Sequence, residues 1–300
     1  MPIDEASYRA WSGTARATHG VVFAIAGTMI RRLMRWRMVR YITWVAPLGA
    51  CLISAVFFGL AQEGKTRLGL LMQQGGMNVT DDLLPILNVQ FQRAIGFWAV
   101  LMAALVGGPL IAEDRRAHAL PLYFSRPISH LDYAAGKYLA FAFFLALLLV
   151  APPICMYLLD VGFSDADGAL FDRLPILLRS LVPSLVGIVA LGAIALGISS
   201  ISRRANYAAL LIVGILVVAE IMGNLLAREI FRDPTWRAVS PGSCVLRITT
   251  DLLPVPDVIT SRRRMPTGMD VGVAWLSLGL WTAAGLGLLA ARIRKVEVVT

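Results

Sequence analysis

Residues Leu181–Ile201 read LVPSLVGIVALGAIALGISSI, and this stretch decides the fold. It contains no ionisable side chain over 21 residues, which is about the length of α-helix that crosses the hydrocarbon core of a bilayer. Together with five similar stretches, it gives predicted spans at about 42–61, 94–112, 133–159, 181–201, 207–227 and 271–291. We therefore predict an all-α membrane protein with a single six-helix transmembrane domain over residues 42–291.

The composition agrees with a bilayer rather than water as the solvent. The 300 residues are 57% hydrophobic and 16% charged, with a mean hydropathy of +0.70. Soluble domains carry roughly 25% charged residues. Three cysteines and three scattered histidines have no metal-ligand spacing, and no Ser/His/Asp or Cys/His set can be assembled. We expect no catalytic residue, metal or cofactor site in this chain.

The net charge of +9 comes from basic residues at the ends of the apolar stretches, which argues against a nucleic-acid partner. The predicted inner side holds 16 Lys+Arg against 6 Asp+Glu, counted over residues 1–41, the loop after Ala112, residues 202–206, the tail 292–300 and the nearby Lys137. The opposite loops hold 12 of each, although residues 228–270 include seven arginines. The positive-inside rule then predicts cytoplasmic N- and C-termini.

Two segments outside the spans have a predicted structure. In Val21–Tyr41, apolar residues recur at helical spacing and arginines follow, which predicts an amphipathic interfacial helix within a cytoplasmic segment 1–41. A plain topological stop signal explains the same charges. Residues Gln62–Gln92 are expected to form a loop with one short helix. The match of Gly59–Thr66 to the P-loop expression lacks a preceding strand and is interpreted as chance.

Several side chains within or near the spans invite a functional interpretation. Glu220, inside the fifth span, is a candidate for a transport pathway, and the alternatives are snorkelling or pairing with Asn224 or a partner subunit. Lys137 and Arg93 are expected to snorkel to the interface. Pro152–Pro153 is expected to kink the third span. Small residues on the fourth span predict close helix packing: Ser184, Gly187, Gly192, Ala193 and Gly197.

The loop between the second and third spans is the most informative part of the sequence. Residues 111–130 read IAEDRRAHALPLYFSRPISH, and Gly136-Lys137 opens the next span. An acidic residue after the second span, a leucine-rich stretch, Ser-Arg-Pro-Ile-Ser and Gly-Lys together resemble the ABC-2 family of ATP-binding-cassette (ABC) transporter permeases. The family usually has Gly-Thr shortly after the acidic residue, where this chain has Ala117-His118-Ala119.

The resemblance implies that this loop forms a cytoplasmic coupling helix that docks on a separate ATPase subunit. The implied coupling residues are Glu113, Asp114, Arg115, Arg116, His118, Leu120, Leu122, Tyr123 and Phe124. It also implies an exporter in the bacterial cytoplasmic (inner) membrane, with a second permease subunit and two ATPase copies. ATP and Mg²⁺ would then be bound by the ATPase, so this chain itself is expected not to be an enzyme.

Two alternatives remain open. A permease-like subunit that couples ATP hydrolysis to a mechanical, maturation or lipid-related task would have a similar sequence. A membrane-embedded lipid enzyme is the second alternative. An amphipathic cavity with a polar lining would favour transport, whereas a sealed apolar seam would favour a mechanical task.

Overall fold

The computed structural model of the chain describes residues 19–62, 79–117, 129–164, 168–255 and 268–294. These residues are 90% helical and contain no strand. The α-helices are α1 (His19–Leu33), α2 (Arg37–Gln62), α3 (Val79–Arg116), α4 (His130–Leu149), α5 (Ala151–Phe163), α6 (Ala169–Asp172), α7 (Leu174–Ile201), α8 (Ala205–Leu225), α9 (Pro241–Leu252) and α10 (Val271–Arg294). A π-helical turn (Leu226–Ile230) and a 3-10 helix (Pro234–Val239) connect α8 to α9.

The prediction of six spans is confirmed. The helices long and apolar enough to cross a bilayer cover Arg37–Val56, Leu83–Arg116, His130–Phe163, Ala169–Ile201, Ala205–Ile230 and Val271–Arg292. The second, third and fourth are 61%, 50% and 67% buried, against 24%, 22% and 22% for the others. The middle three spans therefore form the centre of the bundle, and the first, fifth and sixth lie around them. The interfacial position of α1 stays a prediction, and so do the domain limits.

Small residues let α7 and α10 approach closely, as predicted for the fourth span. A Cβ added at Gly197 would lie 2.5 Å from the carbonyl oxygen of Gly285, and one added at Gly285 would overlap the carbonyl of Ala193. One added at Gly192 would lie 2.6 Å from the ring of Tyr138 on α4. In lipid the hydrophobic effect does not drive helices together, so close van der Waals packing between their backbones joins them instead.

The third span is divided at Val150, two residues before Pro152, into α4 and α5, and the kink expected at Pro152–Pro153 stays a prediction. The second proline has no N–H for the carbonyl of Leu149, four residues earlier. The hydroxyl of Ser184 on α7 donates to that carbonyl at 2.9 Å and accepts from the amide of Gln92 on α3 at 2.7 Å. A backbone group freed by proline is thus satisfied by neighbouring spans, as a bilayer requires.

The described parts of the non-membrane segments are more helical than the sequence predicted. Residues 79–92 are the start of α3 rather than a loop, because Leu84 and Val89 are fully buried and Asn88 donates to the carbonyl of Leu84 at 2.9 Å. The arginine-rich connection after the fifth span contains α9, which sequence reasoning missed. Its apolar side, with Cys244 and Ile248 fully buried, packs against α7 and α10.

Candidate functional site

Four arginines mark one end of the bundle. Arg115, at the end of α3, lies close enough to Arg203 and Arg292 to interact electrostatically, and Arg32 pairs with the neighbouring Glu113. We call this end the basic face. The end of α3 and the start of α4 both lie here, on either side of residues 118–128, which are outside the described residues. The two helix ends that flank the segment predicted to be a coupling helix therefore lie at the basic face.

A buried ion pair joins α3 to α4 at the basic face. The ammonium group of Lys137 lies 2.7 Å from the carboxylate of Asp114, and the two side chains are 0% and 8% exposed. The hydroxyl of Tyr133, one helical turn before Lys137, donates to the same carboxylate at 2.7 Å. The expectation that Lys137 snorkels to the interface is wrong, because its charge is neutralised inside the protein. Ser129 and Asp132 form a capping box, which fixes the residue at which α4 begins. The start of α4 in turn determines which of its side chains lie at the basic face.

Further contacts tie α3 to α1 and α7. Glu113 forms an ion pair with Arg32 of α1, and the guanidinium of Arg115 donates to the carbonyl of Ser200 in the last turn of α7. Such carbonyls lack partners within the helix and carry its negative dipole end. The hydroxyl of Ser199 donates to the Gly108 carbonyl of α3 at 2.8 Å. It also accepts from two backbone N–H groups of α3, each at 3.1 Å.

The structure places the predicted coupling residues in three groups. Glu113, Asp114 and Arg115 contact other helices of this chain, whereas Arg116 is exposed. The remaining five lie outside the described residues: His118, Leu120, Leu122, Tyr123 and Phe124. Their contact with an ATPase stays a prediction. Sequence reasoning missed the internal partners Arg32, Tyr133, Ser199 and Ser200. Of these four, only Tyr133 had a signal in the sequence, because it precedes Lys137 by one helical turn near an acidic pair.

A cavity of about 750 Å³ opens among α3, α7, α8 and α9, away from the basic face. Most of its lining is apolar, with Leu101, Leu191 and Leu216 among the residues that contribute. Polar side chains also line it: Gln92, Arg93, Glu220, Asn224, Arg228, Arg237, Ser240 and Ser243. The cavity is therefore amphipathic, with an apolar body and a charged end.

Glu220 is held at the charged end by three hydrogen-bond donors, one on each of three residues. The amide of Asn224 donates to its carboxylate at 3.0 Å, the alternative of local pairing that the sequence left open. The hydroxyl of Ser240 also donates to it, and that of Ser243 does so at 3.3 Å. Ser240 is the N-cap of α9, so the carboxylate lies at the positive end of that helix dipole. Burial lowers the pKa of the nearby Arg237, and the negative charge of Glu220 opposes that shift.

The six apolar helices define a multi-pass membrane protein. The profile of the ABC-2 family transporter proteins matches residues 23–262, and the chain belongs to this family. The resemblance found in the sequence is thus confirmed. Members of the family form the membrane component of a transporter and work in general with an ABC ATPase. None of the curated proteins compared with it matches the chain.

Proposed function

We propose that this chain is the permease subunit of an ABC exporter in a bacterial cytoplasmic membrane, driven by a separate ATPase docked on residues 113–132. The observation that carries the proposal is the polar network around this segment. Glu113, Asp114 and Arg115 are consecutive, and each contacts a different helix: α1, α4 and α7 respectively. A displacement of the end of α3 would therefore move four helices together.

The proposed mechanism follows from that geometry. Two permease subunits, as a homodimer or heterodimer, would each carry one ATPase at the basic face, with both chain termini cytoplasmic. Closure of the ATPases around ATP and Mg²⁺ would push residues 118–128, and the buried Asp114–Lys137 pair would transmit the push because neither charge can be left alone without cost. The spans would then move between inward- and outward-facing states.

The cavity favours transport over a purely mechanical task. A sealed apolar seam would have supported a mechanical or maturation role, but the lining combines leucines with charged groups such as Glu220 and Arg237. A pocket of this kind, mostly apolar with a few placed polar groups, is typical of a ligand site. The exporter direction rests on the family resemblance.

Co-purification tests the proposal. We expect this chain, co-expressed with the ATPase encoded beside it, to retain that ATPase in mild detergent. Arg116→Glu and Phe124→Ala should abolish retention, because exposed charge and aromatic anchors dominate such interfaces. Arg179→Glu and Phe171→Ala, exposed residues away from the basic face, are the matched controls.

A third variant separates docking from transmission. Glu113→Arg breaks the ion pair with Arg32 inside the chain, so we expect the complex to form but ATP hydrolysis to lose its coupling to the spans. If the wild-type chain folds in membranes yet retains no ATPase, the permease proposal is wrong. If retention survives both Arg116→Glu and Phe124→Ala, docking lies elsewhere.

A further inference from the structure

We infer that the cavity among α3, α7, α8 and α9 binds an amphiphile with an anionic head group and an apolar chain. The inference rests on the proposed function and names its substrate class. The cavity volume of about 750 Å³ lies in the range of ligand sites, which run from roughly 300 to 1,000 Å³. Its apolar body offers no polar partner that would satisfy a fully polar solute.

The charges of the lining select the head group. Three guanidinium groups line the cavity, those of Arg93, Arg228 and Arg237, against the single carboxylate of Glu220. That carboxylate already accepts hydrogen bonds from Asn224 and the two serines at the start of α9. The lining is therefore net positive, and guanidinium groups bind carboxylate and phosphate oxygens in a two-pronged geometry.

The charged end lies at the depth of a head group. Arg93 and Arg115 are both on α3, 22 residues apart, which corresponds to about 33 Å along the helix. Arg115 lies at the basic face, so Arg93 lies near the opposite boundary of a hydrocarbon core about 30 Å thick. Leu101, two turns further along α3, lines the apolar part. A ligand with its head at Arg93 would therefore lie parallel to lipid chains.

Labelling with photoreactive amphiphiles tests the inference on the full-length chain in mild detergent. The probes are palmitic acid carrying a diazirine and the matched hexadecylamine, which has the opposite charge. We expect the acid to label the lining segments of α3 and α8, located by mass spectrometry, and the amine to label them at least tenfold less. Competition by unlabelled palmitate or by phosphatidylglycerol distinguishes a single-chain ligand from a bilayer lipid.

Variants connect the labelling to the charges. Arg228→Gln and Arg237→Gln should each weaken labelling by the acid about tenfold, the loss expected for one charge-assisted contact. Arg232→Gln, an exposed arginine of the same connection that does not line the cavity, should leave it unchanged. Val217→Trp fills the cavity from a position that is 40% exposed, so it blocks the chain without disturbing the buried core.

Equal labelling by the amine would overturn the inference, and so would labelling that survives the two lining-arginine variants and Val217→Trp. ATPase retention, measured on the same preparations, keeps the two proposals distinct. If the chain retains the ATPase but the acid labels it no better than the amine, only the proposed ligand class is contradicted. Specific labelling without ATPase retention would leave an amphiphile-binding membrane protein that is not an ABC permease.

Discussion

Replacing Lys137 by methionine removes the ammonium group that lies 2.7 Å from the carboxylate of Asp114. Both side chains are almost fully buried, so solvent cannot compensate for the lost charge. Breaking a buried pair by removing one partner typically costs about 3–5 kcal/mol. The hydroxyl of Tyr133 still donates to Asp114, so we expect a loss near the lower limit, about 3 kcal/mol of unfolding free energy.

The assay is reversible unfolding in mixed micelles with an increasing fraction of dodecyl sulfate, followed by tryptophan fluorescence. The double variant Asp114→Leu, Lys137→Met should recover most of the loss, since an apolar pair of similar volume is often as stable as the ions. Asp251→Asn breaks the more exposed Arg247–Asp251 pair on α9 and should cost only about 0.3–0.5 kcal/mol. A loss below about 1 kcal/mol for Lys137→Met, or a double variant as unstable as the single one, would refute the reasoning.

Two further predictions concern packing and chemistry. Gly285→Ala should destabilise the α7–α10 crossing by roughly 1–3 kcal/mol through overpacking, measured by the same unfolding assay, whereas Gly287→Ala, which faces open space, should not. Burial raises the pKa of Cys244 to about 11, so its thiolate fraction at pH 8 is about 0.1%. In a Cys51→Ala, Cys155→Ala background, maleimide should therefore fail to modify the folded chain at pH 8. Rapid modification would show that α9 does not pack as described.

The spans could be predicted because hydropathy over about 20 residues reports directly on the bilayer. Leu181–Ile201 and its five counterparts needed no tertiary information. The start of α3 could not be predicted in this way, since Asn88 and Gln92 lower its hydropathy. These amides are acceptable there because one bonds its own helix and the other bonds Ser184, 92 residues away. The short α9 was missed because its 12 residues cannot span a bilayer and because Arg247 and Asp251 lower its hydropathy.

The contacts within the candidate site could not be predicted from the sequence. The motif pointed to the end of α3, and the charges after Ala112 suggested a solvated or docking surface. Arg115 instead bonds the Ser200 carbonyl, 85 residues further along the chain, and Lys137 is buried against Asp114. Contacts at such separation depend on how spans pack, which local pattern does not encode. The cavity likewise arises from four helices, and of its lining residues only Glu220 was a functional candidate in the sequence.

The central claim is that ATP binding at the basic face changes the cavity on the far side of the bundle. The most direct measurement is the rate at which maleimide labels Val217→Cys, a cavity-lining position, in a chain without its native cysteines and in complex with its ATPase. We predict that trapping the ATPase with ATP and vanadate changes this rate severalfold, and that Phe124→Ala abolishes the change. A labelling rate that is identical with and without trapped nucleotide would contradict the account.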